Sequence, residues 1–176
     1  PRTSYSRLLK HLAHAANTEE IIIRLGGNSA DKNCFEDTDK VIPGCKSKIT
    51  VETLKEYQRF AAHVHREQNL RISFVLGTNL GGLGKSTNGS RIEAREIKAA
   101  NTLGMLGDVV RYVEIGNEVD SYISTFPDAG MDTPIGFSKS FAEYVEAYER
   151  AGLGPHMIQG GAFADVFRPD FDLYVL

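Results

Sequence analysis

The stretch Val109-Val110-Arg111-Tyr112-Val113-Glu114-Ile115-Gly116-Asn117-Glu118 reads as a buried strand over Val109 to Ile115. It stops at a glycine and delivers an asparagine and a glutamate just past its end. Three other segments have the same form. Ile21-Ile22-Ile23-Arg24-Leu25 ends in Gly26-Gly27, Ile72-Ser73-Phe74-Val75-Leu76 ends at Gly77, and Met157-Ile158-Gln159 ends in Gly160-Gly161. Short, apolar, β-branched runs suit parallel strands covered on both faces.

Helical spacing fills the intervals. Leu8, Leu9, Leu12, Ala13 and Ala16 form one face, and Leu54, Tyr57, Ala61 and Val64 form another behind a Thr50 cap. Ser90-Arg91-Ile92-Glu93 is a capping box that opens a third helix, which stops near Gly104. Thr133-Pro134 opens a fourth, carrying Phe137, Phe141, Tyr144, Val145 and Tyr148, and Gly152 ends it. Tyr144 and Tyr148 are expected to face the core.

The pattern is helix then strand, four times over, and the long loops follow the strands. That asymmetry fits a (β/α)8 barrel or a doubly wound sheet, whose sites form at strand C-terminal ends. A whole (β/α)8 TIM barrel takes about 250 residues, and this chain has 176. The expected fold is α/β, with about half of a barrel present as four βα units in one unit over 1–176. A compact open sheet is the alternative. The apolar end Phe171-Asp172-Leu173-Tyr174-Val175-Leu176 reads as a lead-in to further structure.

Composition narrows the function classes. The chain is 41% apolar and 24% charged, with a net charge of -3. Those values suit a globular domain and give no basic excess for nucleic acid. No apolar run is long enough for a transmembrane helix. No signal peptide is visible from Pro1, although a start without methionine leaves a trimmed leader open. Cys34 and Cys45 bracket a polar loop containing Pro43 and Gly44. A disulfide there would stabilise by roughly 3 kcal/mol in the chain-entropy model; two free thiols are the other reading. Asn88-Gly89-Ser90 is an N-glycosylation sequon. Together these features lean toward a secreted or extracellular setting, the lysosome included.

The strand ends collect neutral polar groups. The first gives Asn28 and Asp31, the second Asn79, the third Asn117 and Glu118, and the fourth Gln159. Glycoside cleavage needs a protonated carboxyl beside the leaving oxygen and a second carboxylate near the anomeric carbon. A partly buried strand-end glutamate can supply the first, and amides can bind sugar hydroxyls without adding charge. The bland reading of Asn117-Glu118 alone is an ordinary surface loop. The charged residues Arg24 and Glu114 lie inside apolar strands, and they are expected to pair because lone buried charges are costly. No metal site is expected: His63 and His65 are two apart on a helix and diverge, while His11, His14 and His156 lack acidic partners at ligand spacing.

Taken in order, Ile23-Arg24-Leu25-Gly26-Gly27-Asn28-Ser29-Ala30-Asp31, Gly77-Thr78-Asn79-Leu80 and Glu114-Ile115-Gly116-Asn117-Glu118 resemble glycoside hydrolase family 79, which holds heparanase and microbial β-glucuronidases. The resemblance covers nearly the whole chain. It implies a retaining hydrolase of β-linked uronides, acting on a glucuronide or glycosaminoglycan-like glycan without a cofactor. It implies Glu118 as general acid/base, Asn117 on the hydroxyl next to the anomeric centre, and Asn28, Asp31 and Asn79 along the glycone pocket. Val119 departs from the proline usual after the glutamate. The resemblance places these strands second to fifth in the barrel. It leaves the nucleophile, a glutamate on the seventh strand, outside this chain with the rest of the barrel and a β-sandwich. This piece alone is then expected to be inactive.

Two other readings compete. A non-catalytic carbohydrate-binding relative would use the same polar strand ends without cleaving. A P-loop nucleotide binder is suggested by Gly82-Leu83-Gly84-Lys85-Ser86, but the pattern needs a glycine where Asn79 stands.

Overall fold

A computed structural model describes residues 2–35, 47–80, 109–122, 134–150 and 152–162. The fold is α/β. Helix α1 (Arg2–Ala15) leads into strand β1 (Glu20–Leu25). A small parallel pair follows, β2 (Asn33–Phe35) with β3 (Ser47–Ile49). Helix α2 (Val51–Gln68) precedes β4 (Arg71–Thr78), and β5 spans Val110–Asn117. Helix α3 (Pro134–Arg150) and β6 (Ile158–Ala162) complete the described elements.

The main sheet has the order β1-β4-β5-β6, and every pairing in it is parallel. Among the described residues each strand of this sheet therefore lies beside the one of the same sheet that precedes it in sequence, with β2 and β3 set apart in their own pair. The four strands expected from the sequence are all present, each starting within a residue of its expected position. Strand β6 runs further than expected, straight through Gly160 and Gly161. A Cβ on Gly161 would lie 2.5 Å from the Gly116 carbonyl oxygen, so this position admits a neighbouring backbone and little else.

Local chemistry explains the helix boundaries. Thr50 caps α2 as expected: its Oγ1 accepts from the Thr53 N–H, and the Thr53 side chain reaches back to the Thr50 N–H. Asn69 ends α2 in the left-handed region at φ 49°. Gly152, at φ +90°, follows α3. Connections from helix to strand are short; only Asn69 and Leu70 separate α2 from β4.

The core sits between one sheet face and the helices. Ile72, Phe74 and Leu76 of β4 and Val113 and Ile115 of β5 meet Leu54, Ala61 and Val64 of α2 and Tyr144 and Tyr148 of α3. Burial of such side chains stabilises by about 1.5–3 kcal/mol each relative to exposure. The alternating residues on the other face are polar in part, and they lead to the site. The expected third helix (Ser90 to Gly104), the sequon at Asn88, the Gly82–Ser86 loop and Cys45 of the expected disulfide all lie outside the described residues, as does the side chain of Cys34.

Candidate functional site

Arg24, Glu114 and Gln159 stand on β1, β5 and β6 and meet on the polar face of the sheet. The Arg24 Nε donates to both Glu114 oxygens, at 3.0 and 2.9 Å, and its Nη2 donates to Glu114 Oε1 as well. Gln159 Nε2 adds a bond of 3.0 Å to Glu114 Oε2. The Glu114 side chain is only 4% exposed, so its charge needs these donors. The pairing expected from two lone charges in apolar strands is therefore present. Hydrogen bonds donated to Glu114 hold the Arg24 guanidinium above its ordinary range despite partial burial, and charge attraction from Glu114 and Glu118 adds to this. Glu118 thus lies within electrostatic reach of the pair.

The network extends to the end of β5. Arg24 Nη2 also donates to Asn117 Oδ1 at 2.9 Å, which fixes the Asn117 amide. Glu118, half-buried, follows in a left-handed conformation (φ 51°, ψ 49°) and heads a 3-10 turn over Val119–Ser121. Its carbonyl accepts from the Ser121 N–H at 2.8 Å and the Ser121 Oγ at 2.7 Å, so the turn is held from both sides. Gly116, at φ +81°, makes the bend possible. A Cβ there would meet the Tyr122 Oη at 2.9 Å.

The loop after β1 supplies the facing wall. Gly27 (φ +85°) turns it, and a 3-10 turn over Ala30–Lys32 seats it against β4, where Gly77 has no side chain to obstruct Ala30. The Asn28 amide faces the Glu118 carboxylate. With its nitrogen on that side it donates to Oε1 and Oε2 at 3.2 and 3.3 Å. The reversed amide would accept from Asn117 Nδ2 at 3.3 Å but would set a carbonyl oxygen against carboxylate oxygens. The first orientation satisfies the acceptor-only carboxylate. Asp31 is buried beneath, its Oδ1 accepting from the Tyr122 Oη at 2.6 Å and the Leu80 N–H at 3.1 Å.

Asn28, Asp31, Asn117 and Glu118, four of the five residues singled out as catalytic or substrate-binding, therefore line one pocket, together with Lys32, Ser121 and Tyr122. Asn79 does not line it; it is buried at 3% exposure next to Leu80. The sequence reading missed Tyr122 and Lys32. Tyr122 lies in a turn past the strand, where no periodicity marks it; only its place five residues after Asn117 hinted at a local contact. Among the described residues no group of three His, Cys, Asp or Glu side chains is placed to hold a metal ion. No protein-family model matches this sequence, and no curated protein matches it.

The arrangement has a definite chemical character. One carboxylate stands at the pocket wall on a rigid turn, with an amide donating to it and a second amide fixed beside it. Among the described residues the rest of the lining is neutral hydrogen-bonding groups, the buried Asp31 carboxylate bonded to Tyr122, and one ammonium, Lys32. That combination suits a polyhydroxylated ligand and proton transfer at an oxygen.

Proposed function

We propose that this chain is the second-to-fifth-strand portion of a (β/α)8 barrel and that its pocket belongs to a retaining glycoside hydrolase. Strand order supports the barrel. A doubly wound sheet reverses direction at a switch point, whereas β1-β4-β5-β6 advances one strand at a time. The observation that carries the function is the placement of Glu118. It lies just past the C-terminal end of a parallel strand, in a pocket shared with Asn28 and Asn117.

In this reading Glu118 protonates the leaving oxygen and then activates the water that releases the glycosyl-enzyme. Asn117, its amide oriented by Arg24, donates to the hydroxyl beside the anomeric carbon. The nucleophilic carboxylate comes from a later strand outside these residues. A β-linked uronide is the proposed substrate, on the resemblance to glycoside hydrolase family 79, and Lys32 gives the pocket one cation compatible with an acidic sugar. Secretion is proposed on Cys34, Cys45 and the Asn88 sequon.

Glu118→Gln in the full-length protein tests the assignment. We expect hydrolysis of a substrate with a poor leaving group to fall by 10²- to 10⁴-fold, the range typical of general acid–base catalysis. An activated aryl leaving group needs no protonation, so its glycosylation step should be spared. Near-wild-type turnover of the poor-leaving-group substrate would sink the role. Binding of a glucuronide without any cleavage by the wild type would instead favour the non-catalytic relative.

A further inference from the structure

The buried chain Asp31–Tyr122–Asn117 is not accounted for by substrate contact. Tyr122 is 1% exposed. Its hydroxyl accepts from the Asn117 N–H at 3.1 Å and donates to Asp31 Oδ1 at 2.6 Å. The same Asp31 oxygen accepts from the Leu80 N–H at 3.1 Å. One oxygen atom therefore ties together the segments that follow β1, β4 and β5. The Asn117 N–H is the last backbone donor before Glu118, and it is buried, so leaving it unpaired would carry the desolvation penalty of an unmet donor.

We infer that Tyr122 is a positioning residue for Glu118, acting through the Asn117 backbone, and that Asp31 serves as its acceptor. The inference rests on the proposed hydrolase reading and deepens it. The geometry is specific to a hydroxyl. Gly116 leaves room under the bend only because it lacks a Cβ, which would stand 2.9 Å from that hydroxyl. The hydroxyl thus occupies the inside of the turn that sets the Glu118 carboxylate against the Asn28 amide. Removing it frees the Asn117 N–H and lets the Gly116–Glu118 backbone shift. A displacement of about 1 Å at an acid/base group costs on the order of 10²-fold in rate. Asn117 moves with it, but a hydrogen bond to the hydroxyl beside the anomeric carbon strengthens mainly in the transition state, so that loss too falls on the rate.

The test is made in the full-length protein with Tyr122→Phe, Asp31→Asn, Asp31→Ala and the double variant Tyr122→Phe/Asp31→Ala. Circular dichroism and thermal melts confirm that each is folded. Tyr122→Phe is expected to lower kcat by about 10- to 100-fold with KM within about twofold, since the loss falls on the transition state. Asp31→Asn retains an acceptor oxygen and should rescue most of the loss seen in Asp31→Ala. The double variant should be no slower than its slower parent.

A kcat for Tyr122→Phe within twofold of wild type would overturn the inference. So would Asp31→Asn raising KM at unchanged kcat, which would make Asp31 a direct ligand. A readout free of activity keeps this separate from the hydrolase reading. The Glu118 carboxyl carbon, followed by NMR, should change its chemical shift in Tyr122→Phe and return toward wild type in Asp31→Asn relative to Asp31→Ala. If the wild type cleaves no glycoside, the hydrolase reading fails. The positioning inference then stands or falls on that resonance alone, and an unmoved signal would end it.

Discussion

Glu118 adopts a backbone conformation that a glutamate takes up only when its surroundings impose it. Its φ of 51° and ψ of 49° lie in the left-handed region, where an L side chain costs roughly 1–2 kcal/mol relative to the right-handed form. Asparagine is the residue type enriched in that region, and one stands immediately before Glu118. Asn117 instead stays in the strand, because its side chain is bonded to Arg24 and its N–H to Tyr122. Strain held at a candidate catalytic carboxylate invites a direct comparison. Glu118→Gly and Glu118→Ala both delete the carboxylate, so their difference reports the backbone. The glycine variant should be the more stable by about 1 kcal/mol, inverting the order found in ordinary helices. Chemical denaturation of the two variants measures this; an alanine variant as stable as the glycine one would mean that the turn relaxes once the carboxylate is gone.

At the level of elements, the N-terminal strand ends carry a second ionic network, away from the pocket. Glu20 of β1 accepts from the Ser73 Oγ of β4 and from Arg111 of β5, both at 2.5 Å, and Arg71 Nε lies 3.5 Å away. The Ser73 hydrogen bond, with Arg111 and Arg71, holds the Glu20 carboxyl below its ordinary value in spite of burial. A carboxylate whose folded pKa is depressed stabilises the fold above its unfolded pKa of about 4.3 and loses that contribution as pH falls toward the folded value. Urea denaturation at pH 5 and pH 3 should therefore show a smaller acid-induced loss for Glu20→Gln than for wild type. Equal losses would mean that the network contributes nothing to acid stability. None of this was legible in the sequence, where Glu20 reads only as the residue before an apolar run; the network depends on strand register. The strands themselves were legible because four apolar runs each ended at glycine. The short pair β2 and β3 was not, because three residues are too few to show a period. The Arg24–Glu114 pair was legible for a different reason: two charges inside buried strands had few other ways to be satisfied.

The whole described sheet has two strands, β1 and β6, that pair on one side only among the described residues. In a closed barrel no such edges exist, and open ones are templates for strand addition. Ile22 lies in β1 at 46% exposure, so that edge is apolar as well as unpaired. Helix α1 adds a second apolar surface, with Tyr5, Leu8 and Leu12 each about half exposed. If the barrel reading is right, these surfaces are covered by the remaining strands and helices, and residues 1–176 alone should not remain monomeric. We expect sedimentation velocity on this polypeptide to show association that grows over the μM range, up to about 100 μM. Two substitutions separate the surfaces. Ile22→Lys places a charge on the edge strand and should suppress association strongly. Leu12→Lys breaks the helix stripe and should have the smaller effect, because side chains alone attract there while β1 also offers backbone groups. A polypeptide that stays monomeric throughout would show that its edges are already closed. An open α/β sheet would then describe these residues better than the proposed barrel.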